Sequence, residues 1–163
     1  MMKIIRAISI IAAVFAVSSA AWGQNLPSAK VLTFDLAESL AHAAMAACRA
    51  DGHHVSVVVV DPANVYIVVL RDDGSVPANL EFAKLKATTA ILFRTPSATA
   101  YPLVEQTPPV RGLLQGTWNH GGGVPIKVDG YTIGAIAVAG AGTGEKDAAC
   151  SNAALEKLAD KLK

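Results

Sequence analysis

The residue with the clearest chemical potential in this sequence is His120, which precedes three consecutive glycines, Gly121, Gly122 and Gly123. An imidazole can bind iron or zinc through one ring nitrogen while a neighbouring acceptor orients the other. Glycines let the backbone approach a ligand or another strand closely. The segment is therefore a candidate site for a flat, metal-containing ligand. A polar loop histidine with no bound group is the simpler alternative.

Five other residues have side chains suited to ligand binding. His53 and His54 lie just before a β-branched run, and adjacent side chains of an extended chain point to opposite sides. Three basic residues could meet ligand carboxylates through charge-assisted hydrogen bonds: Lys86, Arg71 and Arg94. Surface loop histidines and solvated charges at the ends of elements are the alternative interpretation of each.

Several strong signatures of catalysis and cofactor attachment are absent from the sequence: CxxCH, HExxH, a CxxC pair, GxSxG and the Walker loop. The glycine-rich run at residues 140–144 precedes a helical pattern, but it lacks the Lys-Ser or Lys-Thr of a phosphate loop. The spacing indicates neither paired carboxylates nor a nucleophile beside a histidine. The question of enzymatic activity stays open, and binding without catalysis is favoured.

The candidate residues must be positioned by three predicted helices, over residues 35–50, 80–93 and 145–162, where apolar residues recur at helical spacing. Asp35 is the predicted N-cap of the first helix, and Gly52 is suited to the left-handed conformation that follows its end. The middle helix places Lys86 off its apolar stripe or at the border of that stripe.

Two β-hairpins lie between the helices. Residues 55–70 form one hairpin that turns at Asp61-Pro62-Ala63-Asn64, and residues 124–139 form another that turns at Asp129-Gly130. Residues 55–60 are almost continuously apolar, which is typical of a central strand covered on both faces. Residues 101–118 contain three prolines and are irregular, apart from a possible short element at 110–115. The element order predicts an α+β domain with an antiparallel sheet covered by helices.

The N-terminus has the order of a secretory signal peptide: basic residues, a short apolar run and then small residues. We expect residues 1–23 to be removed, leaving one domain at 24–163, although cleavage after Ala20 also fits. The apolar run is shorter than the roughly 20 residues that span a bilayer, so an uncleaved anchor is the weaker alternative. These features predict a periplasmic or secreted protein.

Charge and cysteine content narrow the possible partners. Without Lys3 and Arg6, 12 of the 14 basic residues remain against 13 acidic ones, so the mature chain carries a net charge of −1. There is no basic patch, and therefore neither nucleic acid nor an anionic membrane is an expected partner. Cys48 and Cys150 fall on the first and last predicted helices. Outside the cytoplasm they could form a disulfide, or they could be two buried thiols.

Three stretches carry a family resemblance: VSVVVVDPANVYIVVLRDDGS, FAKLKATTAILFRTPS and GGVPIKVDGYTIGAIAVAGA, with the C-terminal GEKDAACSNAAL also fitting. They resemble the GlcG/HbpS-like family, also called the haem-degrading or DUF336 domain, over nearly the whole mature chain. The resemblance implies a profilin-like fold, in which a five-stranded antiparallel sheet is flanked by helices, and a homo-oligomer. Some members bind haem or iron, and some are secreted.

Together these features predict a secreted or periplasmic protein that binds haem or a similar iron ligand. The residues assigned to the site are His120, Gly121, Gly122, Gly123, Lys86, Arg71 and Arg94, with His54 and His53 as further metal-ligand candidates. His120 is the leading axial ligand, and the basic residues would meet the propionates. An enzyme that acts on a small organic acid in the same pocket and a ligand-free accessory homo-oligomer are the alternatives.

Overall fold

The computed structural model describes residues 29–100 and 120–163. These residues form, in chain order, helix α1 (Phe34–Ala50), strands β1 (Ser56–Val60) and β2 (Tyr66–Arg71), helix α2 (Pro77–Phe93), strands β3 (Gly123–Val128) and β4 (Tyr131–Ala139), and helix α3 (Gly144–Lys157). Short 3-10 turns, Ser97–Thr99 and Ala159–Lys161, follow α2 and α3. The predicted order of helices and hairpins is confirmed.

Two predictions fall outside the described residues: the signal peptide at 1–23 and the short element at 110–115. Among the helices at 29–100 and 120–163, none combines the length and the apolar character needed to cross a membrane.

The sheet is antiparallel throughout and has the strand order β2-β1-β4-β3. Val58 pairs with Val69 on one side and with Ala137 on the other. The α+β class is therefore confirmed, but the expected five-stranded sheet is wrong for the described residues, which form four strands. The fifth strand was implied only by the family resemblance, whereas each of the two hairpins in the sequence supplies two strands.

Strand β1 is fully buried because helices cover both of its faces. Val57 and Val59 point to a core shared with α1 and α3. Val58 and Val60 point to a smaller core beneath α2, which is lined largely by alanines. This arrangement confirms the interpretation of the apolar run as a doubly covered strand, and it places α2 on the opposite face of the sheet from α1 and α3.

Both hairpin turns use the residues that the sequence indicates. Asp129 and Gly130 have φ values of 50° and 81°, as a tight turn between β3 and β4 requires. Between β1 and β2, Asp61 Oδ1 accepts hydrogen bonds of 2.8 Å from the backbone N–H groups of Ala63 and Val65. Asn64 completes that turn with φ 64°.

The helix ends differ from their predicted positions. Thr33, rather than Asp35, caps α1, and its hydroxyl accepts a 3.4 Å hydrogen bond from Leu36 N. Asp35 lies within the first turn, where its charge suits the helix dipole. Helix α2 begins earlier than expected, at Pro77, because proline is well tolerated in the first turn. The last helix ends earlier, at Lys157.

Cys48 and Cys150 form a disulfide, with Cα atoms 5.5 Å apart. The bond joins α1 to α3 on the face where these two helices pack together, and it closes a loop of 102 residues. Of the two possibilities that the sequence left open, a bridge or two buried thiols, the structure forms the bridge.

Candidate functional site

The segment that follows His120 is held by two buried serines. Ser97 Oγ donates a 2.6 Å hydrogen bond to the carbonyl oxygen of His120 and accepts a 3.0 Å bond from Gly123 N. Ser151 Oγ, from α3, donates a 2.7 Å hydrogen bond to the carbonyl oxygen of Gly122. Both serines are fully buried, so the backbone of the segment is fixed from two sides.

The glycines are required by close packing of backbone against backbone. A Cβ atom on Gly123 would lie 2.2 Å from the carbonyl oxygen of Lys86, and one on Gly121 would lie 2.5 Å from that of Gly144. Gly122 has φ 127° and would place a Cβ atom 2.9 Å from that of Asp147. Protein atoms therefore occupy the space beside these glycines, and a direct role for them in holding a ligand stays a prediction.

Lys86 forms a buried ion pair with Asp147. Its Nζ lies 2.5 Å from Asp147 Oδ2 and donates a weaker hydrogen bond of 3.3 Å to the carbonyl oxygen of Val138. Asp147 Oδ1 accepts a 2.8 Å bond from Ala141 N, so both carboxylate oxygens have partners. Helices α2 and α3 lie on opposite faces of the sheet. The ion pair connects them beside the first residues of β3.

The position of Lys86 differs from the sequence interpretation, in which a solvated charge was the alternative to ligand binding. The residue is 4% exposed. Its charge is compensated by Asp147, a residue that sequence reasoning did not single out. The two residues are 61 positions apart, and an acidic residue in the first turn of a helix is ordinary, so the sequence contains no signal for the pair.

A cleft of about 320 Å³ opens beside this ion pair. Its lining includes Phe82, Asn79 and His120, together with Lys86, Asp147 and the glycine-rich turn that begins α3. A second cleft, of about 530 Å³, is lined by Ala98, Gly121 and Glu145. His120, Thr143 and Gly144 line both clefts. His120 is exposed and lies at the boundary between the two clefts.

Glu145 brings a negative charge close to His120. Gly121 and Gly144 are in direct backbone contact, and His120 and Glu145 are their immediate chain neighbours. The pKa of Glu145 is lowered by a hydrogen bond from its own backbone N–H, by the hydroxyl of Thr143 and by the positive charge of His120. The carboxylate of Glu145 is therefore stabilised in its ionised form.

His54 belongs to a separate polar cluster around the buried Asp72. Arg49 donates two hydrogen bonds to the carboxylate of Asp72, at 2.9 and 2.5 Å, and His54 Nδ1 lies 3.3 Å from Asp72 Oδ2. The hydrogen bond from Arg49 is the main reason that the pKa of Asp72 falls to about 2. The side chain of His54 is 62% exposed, which leaves its ring accessible to solvent.

The two predicted site arginines, Arg71 and Arg94, lie outside the linings of both clefts. Arg71 donates a 2.6 Å hydrogen bond to the carbonyl oxygen of Ser75, whose hydroxyl accepts a 3.2 Å bond from Asn79 in the first cleft. Arg71 is therefore close to that cleft but does not line it. Arg94 is the C-cap of α2, exposed and with φ 51°.

The structure thus brings together His120, its glycines and Lys86, with Arg71 nearby. His53, His54 and Arg94 are absent from the linings of both clefts. Within residues 29–100 and 120–163, no group of three or more His, Cys, Asp or Glu side chains is arranged to hold a metal ion.

Comparison with known proteins reveals one family. The family described as haem-degrading protein HbpS-like matches residues 32–156. The crystal structure of HbpS is 36% identical, with a TM-score of 0.75 over 86% of this chain and 99% of that one. The PduOC–haem complex is 26% identical, with a TM-score of 0.69 over 78% and 94% of the two chains.

The DUF336 protein ORFY of Klebsiella pneumoniae shares the fold, with a TM-score of 0.74 at 22% identity over 83% of this chain and 95% of that one. No curated protein is significantly similar to the chain.

Proposed function

The chain belongs to the HbpS-like family of haem-degrading proteins, and we propose that it binds haem, with His120 as the iron ligand. The observation that carries this proposal is that His120 is exposed and lines both clefts. The haem-bound PduOC structure, which has the same fold, supports a haem-related role.

The residues present suit such a group. His120 supplies an imidazole, which is a common ligand of haem iron, and Phe82 offers a partly exposed aromatic ring in the same cleft. The cleft volume of about 320 Å³ is within the usual range for small-molecule sites. Haem bound there would supply a redox-active iron. The protein would supply the axial nitrogen, an aromatic contact and partial exclusion of water.

The propionates require cations whose charge is not already compensated. Lys86 is bound to Asp147, whereas Arg71 and Arg94 are exposed. Arg71 is the better placed of the two because its hydrogen-bonding partner Ser75 contacts Asn79 in the cleft. We propose Arg71 as the first propionate partner and Arg94 as the alternative.

The proposal is tested by titrating the haem-free mature protein with haem and following the Soret absorbance. The wild type is expected to give a saturable shift, and His120→Ala is expected to lose the imidazole-ligated spectrum. His42→Ala is the matched control, because His42 is an exposed histidine of α1 that lines neither cleft. His54→Ala and His53→Ala test the other candidate ligands. A wild type that gives no saturable shift contradicts the proposal.

A second candidate function is an enzyme that acts on a small organic acid. The buried Lys86–Asp147 pair favours it, because both residues line the cleft and lysine and carboxylate side chains are common general acid–base groups. This function predicts turnover without haem. Assays of the haem-free protein against small carboxylic acids separate it from haem binding, with the double variant Lys86→Met and Asp147→Leu, which buries no charge, as the inactive protein.

The proposal includes a secreted or periplasmic, profilin-like homo-oligomer that binds neither nucleic acid nor membrane after cleavage of residues 1–23. The expected signal peptide supports the location. Exposed apolar side chains on β2 and α2, among them Tyr66, Val69 and Leu92, support contacts between subunits. N-terminal sequencing of the exported protein and light scattering of the purified protein test these two points.

A further inference from the structure

One hydroxyl group bridges both ends of the glycine segment. Ser97 Oγ donates to the carbonyl oxygen of His120 at 2.6 Å and accepts from Gly123 N at 3.0 Å. Ser97 is fully buried, so water does not compete for either bond. The main-chain groups on the two sides of Gly121 and Gly122 are therefore tied to the same atom.

The need for such a bridge follows from the segment itself. Glycine has more backbone freedom than any other residue, so three in succession cannot by themselves hold the preceding side chain in one place. Packing restricts Gly121 and Gly123, and Ser151 holds the carbonyl oxygen of Gly122. The bond from Ser97 reaches the backbone of His120 itself.

Ser97 lies in a short turn that follows helix α2 directly. Helix α2 ends at Phe93, and its C-cap Arg94 has the left-handed conformation, with φ 51°. Pro96 then leads into the 3-10 turn Ser97–Thr99. The position of the hydroxyl is thus tied to the end of α2, the helix that also carries Lys86.

From this geometry we propose that Ser97 is a positioning residue for His120, an inference that rests on the haem-binding function proposed above. The hydroxyl fixes the backbone from which the imidazole projects. It acts on the iron ligand through the chain and does not touch the ligand site.

The test compares Ser97→Ala with Ser56→Ala in the full mature protein. Ser56 is equally buried, and its hydroxyl lies 3.2 Å from Ser75 Oγ, away from residues 120–123. Removing the hydroxyl of Ser97 is expected to accelerate hydrogen exchange of the Gly123 amide at least tenfold. It is also expected to weaken haem binding by about tenfold, as loss of an outer contact to a metal ligand typically does, and to reduce the imidazole-ligated signal.

Ser56→Ala is expected to change neither exchange at Gly123 nor the haem spectrum. Ser97→Thr keeps the hydroxyl and is therefore expected to show the exchange rate at Gly123 and the haem affinity of the wild type. If Ser97→Ala exchanges faster at Gly123 but keeps wild-type affinity and spectrum, Ser97 is only structural and the inference is overturned. Unchanged exchange overturns it as well.

Failure of the proposed function gives a different result, in which wild type and His120→Ala behave alike towards haem. The positioning role is then judged from the nuclear magnetic resonance signals of the His120 ring. They should shift or broaden in Ser97→Ala and stay in place in Ser56→Ala. Ring signals that are the same in all three proteins overturn the inference.

Discussion

Lys86 and Asp147 join the two faces of the sheet through an ion pair whose Nζ–Oδ2 distance is 2.5 Å. Their side chains are 5% and 6% exposed, so neither charge has ready access to bulk water. The lysine side chain passes Gly122, where a Cβ atom would lie 3.0 Å from Lys86 Cδ. The ion pair therefore depends on the glycine, because a side chain at residue 122 would crowd both Lys86 and Asp147.

Asp147→Asn is expected to destabilise the protein by about 3–5 kcal/mol, because it leaves the buried ammonium of Lys86 without its counter-charge. Chemical denaturation measures the change. The double variant Lys86→Met with Asp147→Leu is expected to recover much of the loss, since no charge is then buried. Asp160→Asn, which removes an exposed pair with Lys163, is the control and should have little effect. A single variant as stable as the wild type contradicts the assignment.

Gly123→Ala is expected to destabilise the protein by about 3 kcal/mol or to prevent folding, because the new Cβ atom would lie 2.2 Å from a helix carbonyl oxygen. Gly130→Ala is the matched control. It meets no atom within 4 Å but has φ 81°, so backbone strain alone should cost about 1–2 kcal/mol. Thermal unfolding of the two variants separates steric overlap from conformational strain. Equal costs would argue against the close approach of α2 to β3.

Replacing both Cys48 and Cys150 by alanine is expected to lower the free energy of unfolding by about 4 kcal/mol. The disulfide closes a 102-residue loop, which restricts the unfolded chain. Denaturation curves with and without reductant measure the effect. Reductant should lower the midpoint of the wild type and leave the double variant unchanged; a shift in the double variant would show that the reductant acts elsewhere.

The stability of the fold should depend on pH through Asp72. Its pKa in the folded protein is lowered from 3.8 to about 2, chiefly by the hydrogen bond from Arg49. A lowered folded pKa stabilises the protein above the unfolded value, and this stabilisation is lost as the pH falls through the folded value. The difference in unfolding free energy between wild type and Asp72→Asn should therefore be constant above about pH 5 and should shrink between pH 4 and pH 2.

A double-mutant cycle supplies the control for that measurement. Arg49→Met should remove most of the same pH-dependent difference, and adding it to Asp72→Asn should change little further. Additive effects of the two substitutions would mean that Arg49 is not the main cause of the lowered pKa.

Local sequence signals predicted the framework of this fold well. Asp129-Gly130 between two strands strongly favours a tight turn with positive φ angles. The continuous apolar run from Val57 to Val60 can be buried only if helices cover both faces of the sheet. Such signals involve residues within a few positions of one another. Helix ends were less well predicted because Thr33 and Asp35 are both good N-caps, and residue type alone does not select between them.

The site was predicted in part. His120 and its glycines stood out from residue type alone, and the structure places His120 at the boundary of two clefts. The pairing of Lys86 with Asp147 and the bridge made by Ser97 depend on contacts 61 and 26 residues apart, which no local pattern encodes. The structural role of the three glycines was not predictable either. A run of glycines is compatible both with a ligand and with a neighbouring backbone segment at that position.

The covalent link between α1 and α3 has a consequence for proteolysis. A single peptide-bond cleavage anywhere between Cys48 and Cys150 leaves two fragments connected through sulfur. If the cut falls after Lys86 and before Asp147, the fragments still hold the two halves of the buried ion pair. A nicked protein would then migrate as one species until it is reduced, and the size of the intact band on a non-reducing gel would say nothing about the integrity of its main chain.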